Sequence, residues 1–576
     1  MALLSKMGLG DLEARPPRER ATFFFLVGMS MFLFMDQNLT APNLDAIAED
    51  LVTTHAEVVA QLAKTDPEYQ RLTAEWEKQQ AVVGDLTKEI DGIVAELKAK
   101  DPAAANDPNQ LGKAALDVAR GRIDASRIPA LTEAARIKTE RESRVQTAFD
   151  REKDDKLAGR AALWFWLLGG VTALGIGYLT DKLPRKLLLF GTIVLGAAPC
   201  IATALVQNGH AGQFVLLRAL TGFGIGAVIP LTYSLVGDLF SAKQRVTAVA
   251  YMGLAMGLGI AIGQLFAGFA GPTMGWRMPF VAVAVPNLVL ATLFVLITRE
   301  PARGSGEAEL HAAMEAGGHY DEKIKLSDLK AIFSKPTNLL VFAQGIPGSM
   351  PWGFFFTYLV DYYHTDPAKK YSVEAATGLI SIFAVGAILG AFLGGLLGAR
   401  LYQKRTKYLP LLCGACILGG IAPLMVVVNW SSAQDPLAAA LAGLTAIRIP
   451  GASIAGPAVL GFFGGMVATV PASNVKAVLI NVNPPENRGT IFSLFNLADD
   501  LGKGVAPWLI GSVLAIHFGR TVSYNIAMLM WLVCGAAWAG LVVVFPKDVE
   551  KLEATMRARA SNMAAGRAPG AGAAAA

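Results

Sequence analysis

The sequence predicts an all-α membrane protein: twelve transmembrane helices in two six-helix bundles, with an extracytoplasmic helical hairpin inserted between helices 1 and 2. Three observations predict it. The 576 residues are 53% hydrophobic and only 17% charged, whereas soluble domains run near a quarter charged. Apolar runs long enough to cross a hydrocarbon core, which takes about 20 residues, recur twelve times. A polar linker divides them six and six.

The N-terminal tail is basic (Lys6, Arg15, Arg18, Arg20) and leads into a first span at 21–45. No convincing small-residue cleavage site follows, so this run reads as a span rather than a signal peptide. The polar segment 51–160 comes next. In it Tyr69, Leu72, Trp76, Val83, Leu86, Ile90, Ile93 and Leu97 recur at three- to four-residue spacing, one face of a long helix. "KAKDPAAANDPNQ" breaks that pattern, and a second charged helical stretch, 131–156, returns to the membrane. The hairpin could dock an extracytoplasmic protein partner or capture substrate. A passive insertion tolerated in an exposed loop is the slightly favoured alternative.

Five spans follow at 161–180, 187–206, 212–236, 247–270 and 278–298, completing an N-terminal bundle with residues 1–50. The linker occupies 299–336. The second bundle, 337–546, holds spans at 337–360, 372–398, 408–428, 456–480, 490–516 and 522–545. The tail, 547–576, ends in low-complexity "AAGRAPGAGAAAA".

Lys and Arg distribution sets the expected orientation. Base is concentrated in the tails, the linker, the 2–3 loop (Lys182, Arg185, Lys186), the 4–5 loop (Lys243, Arg245) and the 8–9 loop (Arg400, Lys404, Arg405, Lys407). Opposite loops hold little: Arg277, Lys369, Lys370, Arg448 and Arg520. Both termini are therefore expected in the cytoplasm, with the protein in the cell (inner) membrane. A net charge of +5 is too small for a nucleic-acid partner. Cys413 and Cys416 have CxxC spacing but sit in an apolar run without a second ligand pair, which favours packing over metal. There is no G-x-x-x-x-G-K-[ST] and no H-E-x-x-H. No cofactor, metal or enzymatic role is expected, and a gradient rather than ATP is the implied energy source.

Charged residues inside apolar runs carry the functional reading, because a charge at that depth costs several kcal/mol unless it is paired or wet. Asp36 lies about fifteen residues into span 1, roughly 20 Å along the helix, followed by Gln37 and Asn38 before apolar sequence resumes. Arg218 lies about six residues into span 4, ahead of Gly222, Gly224 and Gly226. A protonatable Asp36 paired with Arg218 could couple proton binding to a conformational balance; a static pair tying helices is the competing reading. In span 11, Asn496, Asp499, Asp500 and Lys503 fall about a turn apart, as a coupling-ion or head-group site or an internal salt bridge. Span 7, "AQGIPGSMPWGFFF", is expected to break at Pro347 and Pro351 beside Gln344 and Trp352, as a gate and substrate wall. Lys476 is expected to snorkel to the interface.

The loop "GYLTDKLPRK" supplies Gly177, Asp181, Lys182, Arg185 and Lys186, matching the major facilitator superfamily signature G-x-x-x-D-[RK]-x-G-[RK]-[RK] except for Pro184 where glycine is usual. With Arg245 these form the expected cytoplasmic gate motif. A worn copy, Gly395 to Arg405, has Ala399 in the Asp position, the trace of an internal repeat. The span-4 run resembles that superfamily's R-x-x-x-G-x-G. "MDQNLTAP", "DLFSAKQR", "REPARG" and "NVKAVLINVNPPENRGTIFSLFNLADDLGKG" together resemble the spinster family of lysolipid and sphingolipid transporters, over both halves but not the insertion. The resemblance implies alternating access, protons as the coupling ion at Asp36 and Arg218, and an amphipathic anionic substrate such as a lysophospholipid. Two departures stand out: Gln37 replaces the arginine usual after the aspartate, and Ile225 stands where a glutamate is common. The alternatives are a carrier of drugs or small organic ions and, from another class, a non-transporting sensor or scaffold acting through the hairpin.

Overall fold

The computed structural model describes residues 9–100, 108–180, 183–240, 242–301, 332–366, 369, 371–430, 454–483 and 488–564. Nearly all of these are helical, and no strand occurs among them. Helix α1 (Pro17–Met35) begins with proline in its first turn, where the missing N–H leaves no helical bond unmade. It tightens into 3₁₀ turns at Asp36–Asn38 and Ala41–Asn43 and continues as α2 (Leu44–Leu51). Pro42 cannot donate to the preceding turn, which suits this change of pitch.

The polar segment that follows contains α3 (His55–Thr65), α4 (Pro67–Lys100), α5 (Pro108–Arg122) and α6 (Ile128–Lys153). Thr54 and Glu57 cap α3 reciprocally: Thr54 Oγ1 accepts from Glu57 N at 3.2 Å, and Thr54 N donates to the Glu57 carboxylate at 2.9 Å. On α4, Leu86, Ile90 and Ile93 are buried against Ala119 of α5 and Leu131 and Ala134 of α6, a small core separate from the membrane bundle. The sequence implied two helices here; the structure adds α5 between them.

A π-helical turn, Asp154–Ala158, joins α6 to α7 (Gly159–Thr180). The N-terminal half continues with α8 (Arg185–Thr203), α9 (Ala211–Leu239), α10 (Ala242–Met274) and α11 (Met278–Ile297). The C-terminal half contains α12 (Pro336–Thr365), α13 (Val373–Lys404), α14 (Tyr408–Asn429), α15 (Ala455–Ala468), α16 (Val470–Val482), α17 (Arg488–Pro507) and α18 (Arg520–Ala564). Eleven helical stretches among the described residues are long and apolar enough to cross a membrane, one fewer than expected. The stretch expected as span 11 is helical but is not one of the eleven. Its α17 carries Asp499, Asp500 and Lys503 and turns π-helical over Trp508–Leu514.

Glycine sets the closest packing. A Cβ at Gly226 or Gly222 of α9 would fall inside the backbone of Gly169 or Phe165 on α7, so these helices meet main chain to main chain. The close approach expected behind Arg218 is thus present. The expected break in span 7 is not, because α12 runs through both Pro347 and Pro351. Side chains supply donors to carbonyls near the prolines: Ser349 Oγ to Gly345 O at 2.8 Å, and Trp531 Nε1 of α18 to Gly348 O at 2.9 Å.

Candidate functional site: charged groups inside the bundle

Asp36 ends α1 as the helix tightens, and Arg218 projects from the first third of α9 toward it. Arg218 Nη1 donates to Asp36 Oδ1 at 2.8 Å and Nη2 to the Asp36 carbonyl at 3.1 Å. Both side chains are buried, about one-twentieth exposed. The guanidinium stacks over the rings of Phe165 (5.1 Å) and Phe280 (5.3 Å), which stabilise cation charge where water is scarce. Cys200 also donates to Asp36 Oδ1 at 3.1 Å. The other oxygen, Oδ2, accepts no hydrogen bond from the described residues.

Gln37 is half-buried and Asn38 buried. Asn38 lines a small internal void with Gln264 and Phe356, where α1, α10 and α12 approach. Neither amide atom of Gln264 is hydrogen-bonded among the described residues. Gln344 is buried away from this void: its amide donates to Val341 O at 3.1 Å and its oxygen accepts from Cys534 at 3.2 Å. Trp352 is half-buried in an aromatic group with Phe383 and Trp531, ring centroids 5.5 and 5.6 Å away.

A second cluster lies on α17. Lys503 Nζ sits 2.5 Å from Asp499 and 3.7 Å from Asp500. It also lies 4.9 Å from the ring centre of Trp166 on α7, in the other half. These groups are more open than the first pair, with about a fifth to a third of each side chain exposed. Asn496 is half-buried on the same helix. Lys476 lies on α16. It is exposed, forms no ion pair or hydrogen bond with described residues, and lies within electrostatic range of Asp499 and Lys503.

The loop motif reads differently in space than in sequence. Asp181 and Lys182 lie outside the described residues, as does the side chain of Arg245. Arg185 is buried and bonds Asp238, Glu300 (2.9 Å) and the Pro301 carbonyl (3.1 Å). Glu300 also accepts from the backbone N–H groups of Arg185 and Lys186 at 3.3 and 3.2 Å, a carboxylate placed on the N-terminus of α8. Lys186 Nζ donates to Thr298 O at 2.6 Å. Arg185 and Lys186 therefore staple α8, α9 and the segment after α11 within one half.

Sequence reasoning missed a third group: Asp150 and Lys153 on α6, Asp361 on α12 and Arg520 at the start of α18. Asp361 was visible as an acid inside the apolar run "YLVDYYHT", the same signal that selected Asp36.

Residues 154–461, more than half of the chain, match the model of the family described as Major Facilitator Superfamily, and the chain belongs to it. Within that superfamily it resembles the spinster proteins. It is 23% identical over 356 residues to the sphingosine-1-phosphate transporter SPNS2 of Danio rerio, covering 60% of this chain and 66% of that one. The chain spans just under two thirds of the spinster relatives it matches. It is 25% identical over 353 residues to the 3-(3-hydroxy-phenyl)propionate transporter of Escherichia coli K12, covering 60% of this chain and 75% of that one. In fold it is similar to a bacterial homolog of the human lysosomal transporter Spinster, crystallised inward-facing and unoccupied. That likeness has TM-score 0.59 at 14% identity and covers 93% of this chain and 99% of the other.

Proposed function

We propose that this protein is a secondary active transporter working by alternating access, coupled to protons, that moves an amphipathic anion of the lysophospholipid or sphingolipid class. α17 and its continuation act as the twelfth span, both termini lie in the cytoplasm, and the insertion lies on the outer side of the cell membrane. The observation that carries the reading is the buried Asp36–Arg218 contact with Asp36 Oδ2 unengaged. Protonation there cancels the charge that holds Arg218, and a guanidinium released from its partner favours a different arrangement of α1 and α9.

Lys503 and Lys476 are suited to an anionic head group. Lys503 has an aromatic face beside it, and Lys476 is exposed and forms no direct ion pair among the described residues. The name of the zebrafish relative supports a phosphate-bearing lipid, and that of the Escherichia coli relative keeps a small organic acid as the second reading. The common demand is a carboxylate or phosphate beside an apolar body. Reconstitution into liposomes with an imposed pH gradient tests this. Lysolipid uptake that collapses in Asp36→Asn is expected; uptake of small aromatic acids alone selects the second reading, and gradient-driven uptake intact in Asp36→Asn removes the proton role.

A further inference from the structure

Lys153 is fully buried at the end of α6, the last helix of the insertion. Its ammonium contacts both oxygens of Asp361 on α12 at 2.8 Å. It also lies 2.7 Å from Asp150 on its own helix and 3.4 Å from Asp45 on α2. Arg520 of α18 closes the network: it donates to Asp150 at 2.6 Å and pairs with Asp361. The network therefore has one side in the N-terminal half and its insertion, and the other in the C-terminal half. Among the described residues, every ion pair joining the two halves belongs to it.

We propose that the base of the insertion is one jaw of a latch, in which Asp150 and Lys153 grip Asp361 and Arg520 and hold the two halves together at the insertion end. The physical case is reversibility. Apolar helices packed against each other lose burial when they part, with no compensation. Buried ions regain water, and the net worth of a buried pair is close to zero once desolvation is counted. A charged contact thus specifies the closed geometry without making it irreversible.

Location supports the same role. The superfamily match begins at residue 154, so Asp150 and Lys153 lie just before it. The base of the segment packs into the bundle core through Val58 and Phe149; His55 stacks on Phe149 at 4.0 Å and the Gln146 amide donates to Asp150 at 3.0 Å. Its far part folds around its own core. An appendage with no mechanical role would not need its last turn to reach the opposite half.

The gating role rests on the carrier reading, but the latch can be measured without substrate. Spin labels at Gln207→Cys and His517→Cys, both exposed, report separation of the halves at the insertion end in full-length protein in nanodiscs. Lys153→Gln is expected to raise the ratio of open to closed populations about tenfold, within the usual range of coupling between sites. Glu152→Gln, a half-buried neighbour on α6 paired with Lys156 outside the network, is expected to leave it unchanged. If Lys153→Gln does not fold, Arg520→Lys, which keeps the charge but loses the two-pronged contact, is read the same way. An unchanged distance distribution in whichever variant folds overturns the latch. Unchanged distances with working proteoliposome transport overturn the latch alone; widened distances in a protein that moves nothing support the latch and count against the carrier.

Discussion

Two charged regions of this bundle differ in a way that separates their chemistry. The Asp36–Arg218 pair is sealed: both groups are buried, the guanidinium is held by two contacts to one residue, and aromatic rings flank it. The Lys503 group is open: its ammonium, like Asp499 and Asp500, keeps part of its surface exposed, and Lys476 nearby forms no direct ion pair among the described residues. A sealed pair has no room for a head group. An open group can meet a ligand, but its surroundings screen it. The difference teaches that depth and partner count, not charge alone, separate the two proposed roles.

The largest effect should come from Arg218→Ala. It strands the Asp36 carboxylate in a dry site, a loss of about 3–5 kcal/mol, and should reduce the folded yield measured by detergent size-exclusion profile. Asp36→Asn, which removes the charge but keeps the shape, should fold and fail in coupling. Equal damage from both would erase the distinction between structural and coupling roles. Lys503→Met should be milder in stability, with the loss appearing as a raised KM for anionic substrate in proteoliposome uptake. Lys476→Met should raise KM without altering the folded yield, because no protein contact is lost.

Outside the bundle, His55 tests a half-exposed pair. Burial lowers its pKa, but hydrogen bonds to Glu49 and Gln146 outweigh that and raise it above 6.5. The contact is therefore fully present below the usual histidine range and is lost as pH rises through the raised pKa. Hydrogen exchange over α3, corrected for intrinsic rates, should quicken above about pH 6.5, and His55→Gln should flatten that dependence. Smallest is Arg144→Ala. Its 3.0 Å pair with Asp66 is partly exposed, so unfolding midpoints should move by no more than a surface pair is worth, about 0.2–1 kcal/mol.

What could be read in the sequence follows the same physics. Helical spans were legible because lipid demands long apolar runs. Asp36 and Arg218 were legible because a charge inside such a run is costly enough to need a reason. The seam Leu86, Ile90 and Ile93 was legible because helical periodicity records burial. Partners across elements were not. Nothing in "REPARG" says that Glu300 returns to cap α8, and nothing in the charged stretch 131–156 marks Lys153 as the buried one among many exposed bases. The proline break in α12 was misjudged because the helix is held near its prolines partly by Trp531 of α18, a partner set by packing rather than by local spacing.

The contact of α7 with α9 carries a consequence for how this molecule can change over time. Where two main chains touch at Gly169 and Gly226 there is no side chain left to resize, so a single enlarged residue cannot be absorbed by trimming its neighbour. The two helices must be inherited as a unit. Any variant or chimera that takes one from a relative has to bring the other with it.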